Sequence, residues 1–289
     1  MDRNIIILAG GASSRMKRSS EAVVDSALAK EAQRKTKAMI GVGLHARPFL
    51  DYLLFNIQRA GYENTIIVVG ENDSSIKEFY GQKENAEQFP SLNISYVIQN
   101  VPPGRGKPLG TADALLKALN QTPSLNGQRF TVCNSDNLYS PAALRLILED
   151  AHPNVLIDYD RAALQFTEER VAQFAVVVKD EEGFLTEIVE KPSSDEMNRA
   201  KDVRGRTGVS MNIWRFTYGD ILPFLESIPL HPVRKEKELP VAVKMMIAQQ
   251  PRSVFAIPLS EDVVDLTSLD DIPAVKQYIQ KEFPHFGRK

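Results

Sequence analysis

The run Ile5-Ile6-Ile7-Leu8-Ala9-Gly10-Gly11 constrains this chain more than any other stretch. Four consecutive apolar residues, three of them β-branched, predict a strand buried on both faces, as in the interior of a parallel sheet. The strand runs into Gly10-Gly11, where the backbone turns freely and no side chain blocks a ligand. Ala12, Ser13 and Ser14 follow, then Arg15, a permanent cation whose planar fork of donors suits phosphate oxygens. In outline this is a phosphate-binding loop, or else an ordinary strand-turn with a surface Arg. The spacing is neither that of a P-loop, which needs Lys-Ser/Thr after a second glycine, nor G-x-G-x-x-G.

Further along, the chain repeats strand and helix. Residues 48–60 place Phe49, Leu50, Leu53, Leu54, Ile57 and Ala60 on one helical face, with Gly61 as terminator. Thr65–Gly70 and Ile94–Gln99 read as further strands. This rhythm implies right-handed βαβ crossovers and a parallel sheet. Gln99 opens a Gly/Pro-rich loop that leads to Gly110-Thr111, the start of a helix with Ala112, Leu115, Leu116 and Leu119 inward. A helix N-terminus offers free N–H groups to an anion or a base edge. Phe130–Cys133 is a core strand followed by Asn134-Ser135-Asp136-Asn137-Leu138-Tyr139. A carboxylate just past the C-terminal end of a parallel strand sits where open α/β sheets bind ligands. It could hold Mg²⁺ there, or serve as a plain turn residue.

Past residue 170 the pattern alternates around Asp180-Glu181-Glu182-Gly183 as a hairpin, ending at Glu190-Lys191-Pro192. A strand Gly208–Phe216, helices near 218–226 and 238–249, a strand Ser253–Pro258 and a last helix from about Ser268 follow. Ser268 with Asp271 predicts an N-cap, which makes Asp270 and Asp271 capping and dipole residues rather than ligands.

Composition narrows the partners. The 35 Lys and Arg nearly balance the 37 Asp and Glu, for a net charge of −2, without a dominant block of either sign. That argues against nucleic acid and anionic membranes. The one cysteine, Cys133, excludes a disulfide framework. With no leader-like start and no spanning apolar run, a soluble cytoplasmic protein is expected. The histidines (His45, His152, His231, His285) lack metal-ligand spacing.

LAGGASSRM resembles the LAGG-x-G-S/T-R-M/L opening of the sugar-1-phosphate nucleotidylyltransferases. Later segments are similar to that family's elements, in its order. Lys37 to Val42 resembles P-K-x-L-x-P-V, with Thr36 and Gly41 in place of the prolines. LGTADAL resembles LGTA-x-AL, and Asp136, Asn137 and Tyr139 match G-D-N/D-x-x-Y. Glu190-Lys191-Pro192 matches E-K-P. Gly208 to Phe216 resembles N-A-G-I-Y-V-F, with Ser210 for Asn and Asn212 for Gly. Val264 to Ile272 resembles D-I-G-T-P-E-D-L, with Thr267 for Gly and Ser268 for Thr.

The resemblance implies a Rossmann-like α/β fold with a mainly parallel, mixed central sheet flanked by helices. It implies one domain over 1–289, with a nucleotide-binding half at 1–160 and a sugar-phosphate-binding half at 161–289. The implied reaction joins a nucleoside triphosphate to a sugar 1-phosphate, with release of pyrophosphate. In the implied site, Leu8, Ala9, Gly10 and Gly11 wrap the nucleotide, and Gln99, Gly110 and Thr111 meet its base. Arg15, Lys37 and Lys191 are the catalytic cations. Asp136 and Asp265 hold Mg²⁺, while Glu190, Lys191 and Ser210 face the sugar phosphate. Two alternatives are another phosphorylated acceptor, such as a phosphocholine or a cofactor precursor, and a non-catalytic nucleotide-sugar-binding regulator. The base, the sugar and any homo-oligomer are left open. The polar segment 17–36 suits a solvated surface helix, a passive insertion or a mobile lid.

Overall fold

The computed structural model describes residues 2–11, 16 and 35–286. Arg15 and residues 17–34, the bulk of the suggested lid, lie outside them. The chain is organised on a sheet whose main path runs β10-β6-β9-β4-β1-β2-β3. These strands are β1 (Asn4–Leu8), β2 (Asn64–Gly70), β3 (Asn93–Gln99), β4 (Arg129–Asn134), β6 (Val155–Asp160), β9 (Gly208–Thr217) and β10 (Phe255–Leu259). β1 lies between β2 and β4, parallel to both, with Ile6 opposite Ile66 and Val132. β9 alone on this path runs antiparallel, inserted between β4 and β6. The sheet is therefore mixed and mainly parallel, as expected. A hairpin of β7 (Val176–Lys179) and β8 (Leu185–Val189) joins it through Val176 opposite Val209. The two-residue strands β5 (Asn137–Leu138) and β11 (Val264–Asp265) pair apart from it.

The all-apolar strands are explained by two cores, one on each face. In β1, Ile5 and Ile7 point into one, Ile6 and Leu8 into the other. The first core is closed by α1 (Phe49–Ala60), α3 (Pro141–Glu149) and α6 (Ile272–Glu282). The second is closed by α2 (Thr111–Gln121), α4 (Tyr218–Ser227) and α5 (Leu239–Gln249). Sheets covered on both faces bury period-2 neighbours equally, so no polar alternation survives in the sequence. Cys133 is a buried, unbridged thiol of the first core.

Two sequence-based boundaries shift. The strand expected at Ser253–Pro258 is Phe255–Leu259, and the last helix starts at Ile272 after a 3₁₀ turn, Leu269–Asp271. Among the described residues, no helix is long and apolar enough to cross a membrane.

Candidate active site

The strand ends that matter lie on one edge of the sheet. β1, β2, β3 and β4 run parallel, so Gly10, Gly70, Gln99 and Asp136 all follow or finish strands there. Gly10 is required by closeness: a Cβ on it would stand 2.9 Å from Gln99 Oε1 and 3.4 Å from the Gly70 nitrogen. Gly11, by contrast, faces open space.

Gln99 is buried, and its amide donates to the Gly110 carbonyl and to Asp113 Oδ2, both at 2.9 Å. Its hydrogens thus tie β3 to the start of α2, while its oxygen faces Gly10. The N-terminus of α2 is not left fully open, as the sequence suggested. The Lys237 carbonyl accepts from Ala112 N at 2.9 Å, and Thr111 Oγ1 accepts from Leu239 N at 2.9 Å. Gly110 has φ +106°, and a Cβ there would meet the Lys237 carbonyl at 2.7 Å.

Lys37, Asp136 and Asp265 come together. Thr36 Oγ1 donates to the Ala9 carbonyl at 3.4 Å, which carries Lys37 past the end of β1. Lys37 Nζ pairs with Asp136 Oδ2. Asp265 arrives through the β5–β11 pairing: it lies opposite Asn137, and Leu266 N donates to the Asp136 carbonyl at 2.8 Å. Burial raises the Asp265 carboxyl pKa, and the Asp136 charge raises it further; the Thr267 hydrogen bond, Arg170 and Lys37 oppose the rise. Thr267 Oγ1 donates to Asp265 Oδ1 at 2.6 Å.

Sequence reasoning missed Arg170. It lies 3.3 Å from Asp265 Oδ2 and makes a two-pronged pair with Asp271. Asp271 in turn accepts from Thr267 N at 2.9 Å and Ser268 N at 2.7 Å, the capping role expected of it.

In the later half of the chain, Lys191 is exposed and holds φ +49°, uncommon for a residue with a side chain. Glu190 pairs with Arg234 at 3.1 Å, and Arg234 with Glu238 at 2.6 Å. Residues 231–238 therefore form a strap from Glu190 to the start of α2, which no periodicity announced. Ser210 is buried, and its hydroxyl accepts from Asn212 N at 3.3 Å. Asn212 has φ +56°, a left-handed conformation that glycine and asparagine adopt most readily. Tyr139 fixes that bend by donating to the Met211 carbonyl at 2.7 Å.

The two carboxylates suit a small divalent cation, which typically takes one or two protein carboxylates plus phosphate and water oxygens. Among the described residues, no group of three or more His, Cys, Asp or Glu is arranged to hold a metal.

The sequence profile of the Nucleotidyl transferase family matches residues 4–254. The chain belongs to that family. The "Bifunctional protein GlmU" of Staphylococcus haemolyticus is 23% identical over 274 residues, 94% of this chain and 51% of that protein. The GlmU protein of Thermodesulfovibrio yellowstonii is 28% identical over 188 residues, 65% of this chain and 33% of that protein. The chain thus spans about half the length of the first of these relatives or less. A UDP-glucose pyrophosphorylase solved with UDP-glucose superposes with a TM-score of 0.69 at 18% identity, covering 98% of this chain and 100% of the other. A UTP-bound UGPase from Acinetobacter baumannii gives 0.70 at 18% identity, over 99% and 96%. The expected nucleotidyltransferase fold is borne out.

Proposed function

We propose that this nucleotidyltransferase joins a nucleoside triphosphate to a sugar 1-phosphate, giving a nucleotide-sugar and pyrophosphate. The observation that carries the reading is the convergence of Asp136 and Asp265 beside Lys37 at the strand edge where Gly10 opens a loop. Such a reaction asks little of proton transfer, because the attacking phosphate oxygen is already anionic. It requires two anions held in line and the growing charge on pyrophosphate neutralised.

Leu8, Ala9, Gly10 and Gly11 would follow the triphosphate, with Gln99 setting the loop spacing and Gly110 and Thr111 bordering the base. Lys37 would exchange Asp136 for a nucleotide phosphate, and Arg15 would meet the leaving pyrophosphate. Lys191 would hold the acceptor phosphate, with Glu190 and Ser210 beside the sugar. Asp136 and Asp265 would hold Mg²⁺, which when bound supplies charge neutralisation on phosphate oxygens. Breaking Lys37–Asp136 costs little net, since phosphate replaces one anion with another.

The test is pyrophosphate release from each common nucleoside triphosphate against a panel of sugar 1-phosphates, with phosphocholine as a non-sugar acceptor. Turnover with one sugar 1-phosphate supports the reading. Turnover with phosphocholine alone, or with none, refutes it.

A further inference from the structure

Beyond the end of β6 lies a cationic cavity that the transfer chemistry leaves unused. Its volume is about 350 Å³, and its walls include Asp160, Arg161, Arg204, Arg206 and Thr207. That volume is at the lower end for small-ligand sites. Three arginines and one aspartate line it, and the Asp160 carboxylate is engaged by Ala162 N at 3.0 Å and by Ser260 Oγ at 3.4 Å.

The wall is built rather than loose. Asp202 Oδ1 accepts from Arg204 N and Arg206 N, both at 2.9 Å, folding 202–206 into a tight turn. The Arg206 guanidinium is gripped by Asp202 Oδ2 at 3.2 Å, by the Asp158 carbonyl at 2.9 Å and by the Asp158 carboxylate. Asp158 is fully buried and shared with Lys179, so Arg206 is held in place from beneath. Arg161 adds a donor to the wall: its Nε is buried and has no hydrogen-bond partner, as is true of seven other buried side-chain atoms among the described residues. Buried donors nearly always find an acceptor, and the Arg161 guanidinium on the cavity wall would gain one by turning toward a bound anion. Arg204 stands exposed at the rim.

Position adds to this. Asp160 lies opposite Gly208 and Asp158 opposite Ser210, so the cavity sits where β9 overhangs the sheet edge. From Gly208 to Asn212, beside the candidate acceptor site, is about 13 Å of strand.

We propose that this cavity binds the carboxylate or phosphate oxygens of a small anionic ligand through Arg161, Arg204 and the fixed Arg206. Two sources share that chemistry. One is an acidic group on the acceptor, remote from its reacting phosphate; this source alone rests on the proposed reaction. The other is a separate small anion.

The full chain carrying ¹⁵N-labelled arginine is titrated with inorganic phosphate and with a dicarboxylate, following the Arg161 and Arg204 Nε–H signals by NMR. Saturable shifts at both are expected. Arg204→Gln, an exposed change that leaves the melting curve in place, should weaken binding about tenfold, as loss of a charge-assisted hydrogen bond does. If the anion belongs to the acceptor, Arg204→Gln also raises KM about tenfold for a hexuronate 1-phosphate and leaves KM for neutral hexose 1-phosphates unchanged. If the anion is separate, only the titration changes. Absence of saturable shifts into the millimolar range, or equal affinity in Arg204→Gln, overturns the proposal. Turnover of neutral acceptors without anion binding removes this inference and keeps the proposed reaction; anion binding without any nucleotidyl transfer does the reverse.

Discussion

Replacing Arg170 with Met takes one positive charge from between two largely buried carboxylates while keeping an apolar stem on the Phe166 ring. The guanidinium lies 4.7 Å from that ring, 3.3 Å from Asp265 Oδ2, and against both oxygens of Asp271. Breaking a fully buried ion pair costs about 3–5 kcal/mol, and an exposed one contributes at most about 1. Arg170 is 26% exposed against carboxylates at about a tenth, which places the expected loss between these limits. We expect about 2–3 kcal/mol near pH 8, or roughly 3–5 °C in melting temperature for a chain of this size.

The loss must depend on pH. The Asp265 pKa is raised above its unfolded value, so its protonated form favours the fold at low pH, and that contribution is lost as pH rises through the folded value. Arg170 opposes this rise, so Arg170→Met raises the folded pKa further and widens the gap from wild type as pH increases. Thermal unfolding followed by circular dichroism at pH 5 and pH 8, with and without Mg²⁺, measures both effects. The variant should lose more at pH 8, and Mg²⁺ should restore more of its melting temperature than of the wild type's. An equal loss at both pH values would refute the electrostatic reasoning.

Other outcomes follow from the same geometry. Gly10→Ala drives a Cβ onto Gln99 Oε1 at 2.9 Å, so it should lower stability by about 1–3 kcal/mol and weaken nucleotide binding measured by calorimetry. Because the Asp265 pKa is raised without a cation, Mg²⁺ binding measured by calorimetry should weaken on acidification already above the ordinary carboxylate range, and an affinity unchanged down to about pH 4 would contradict this. Lys191→Ala should raise KM for the acceptor about tenfold or more and leave nucleotide affinity near wild type. Arg15→Ala should lower kcat instead, with Arg15→Lys recovering only part; the opposite pattern would exchange the two subsites.

Much of the sheet was legible because burial on both faces leaves unbroken apolar runs, as in Ile5–Leu8 and Ile66–Val69. The loops at Gly10 and Gly110 were legible because close approach or positive φ excludes other residues. The β5–β11 pairing was not legible as a contact, since two-residue strands carry no period; only a motif resemblance marked Asp265. β6 went unread because Asp158 and Asp160 interrupt its apolar run, although Asp158 is buried and neutralised by Lys179 and Arg206. Arg170 lies in a polar stretch where every charge has the pattern of a solvated one. The strap at 231–238 is likewise a mixed-charge run whose partners, Glu190 and the start of α2, are remote in sequence.

The central claim is that two carboxylates from distant parts of the chain act as one cation site for nucleotidyl transfer. Its most direct test is pyrophosphate release by Asp136→Asn and Asp265→Asn, assayed with the wild-type substrates and Mg²⁺ alongside matched melting curves. Both amides keep the side-chain shape and remove only the charge that would hold the cation. Each should lower turnover about 10²-fold or more while the fold persists. Full turnover in either variant would take that residue out of the site and break the pairing on which the mechanism rests.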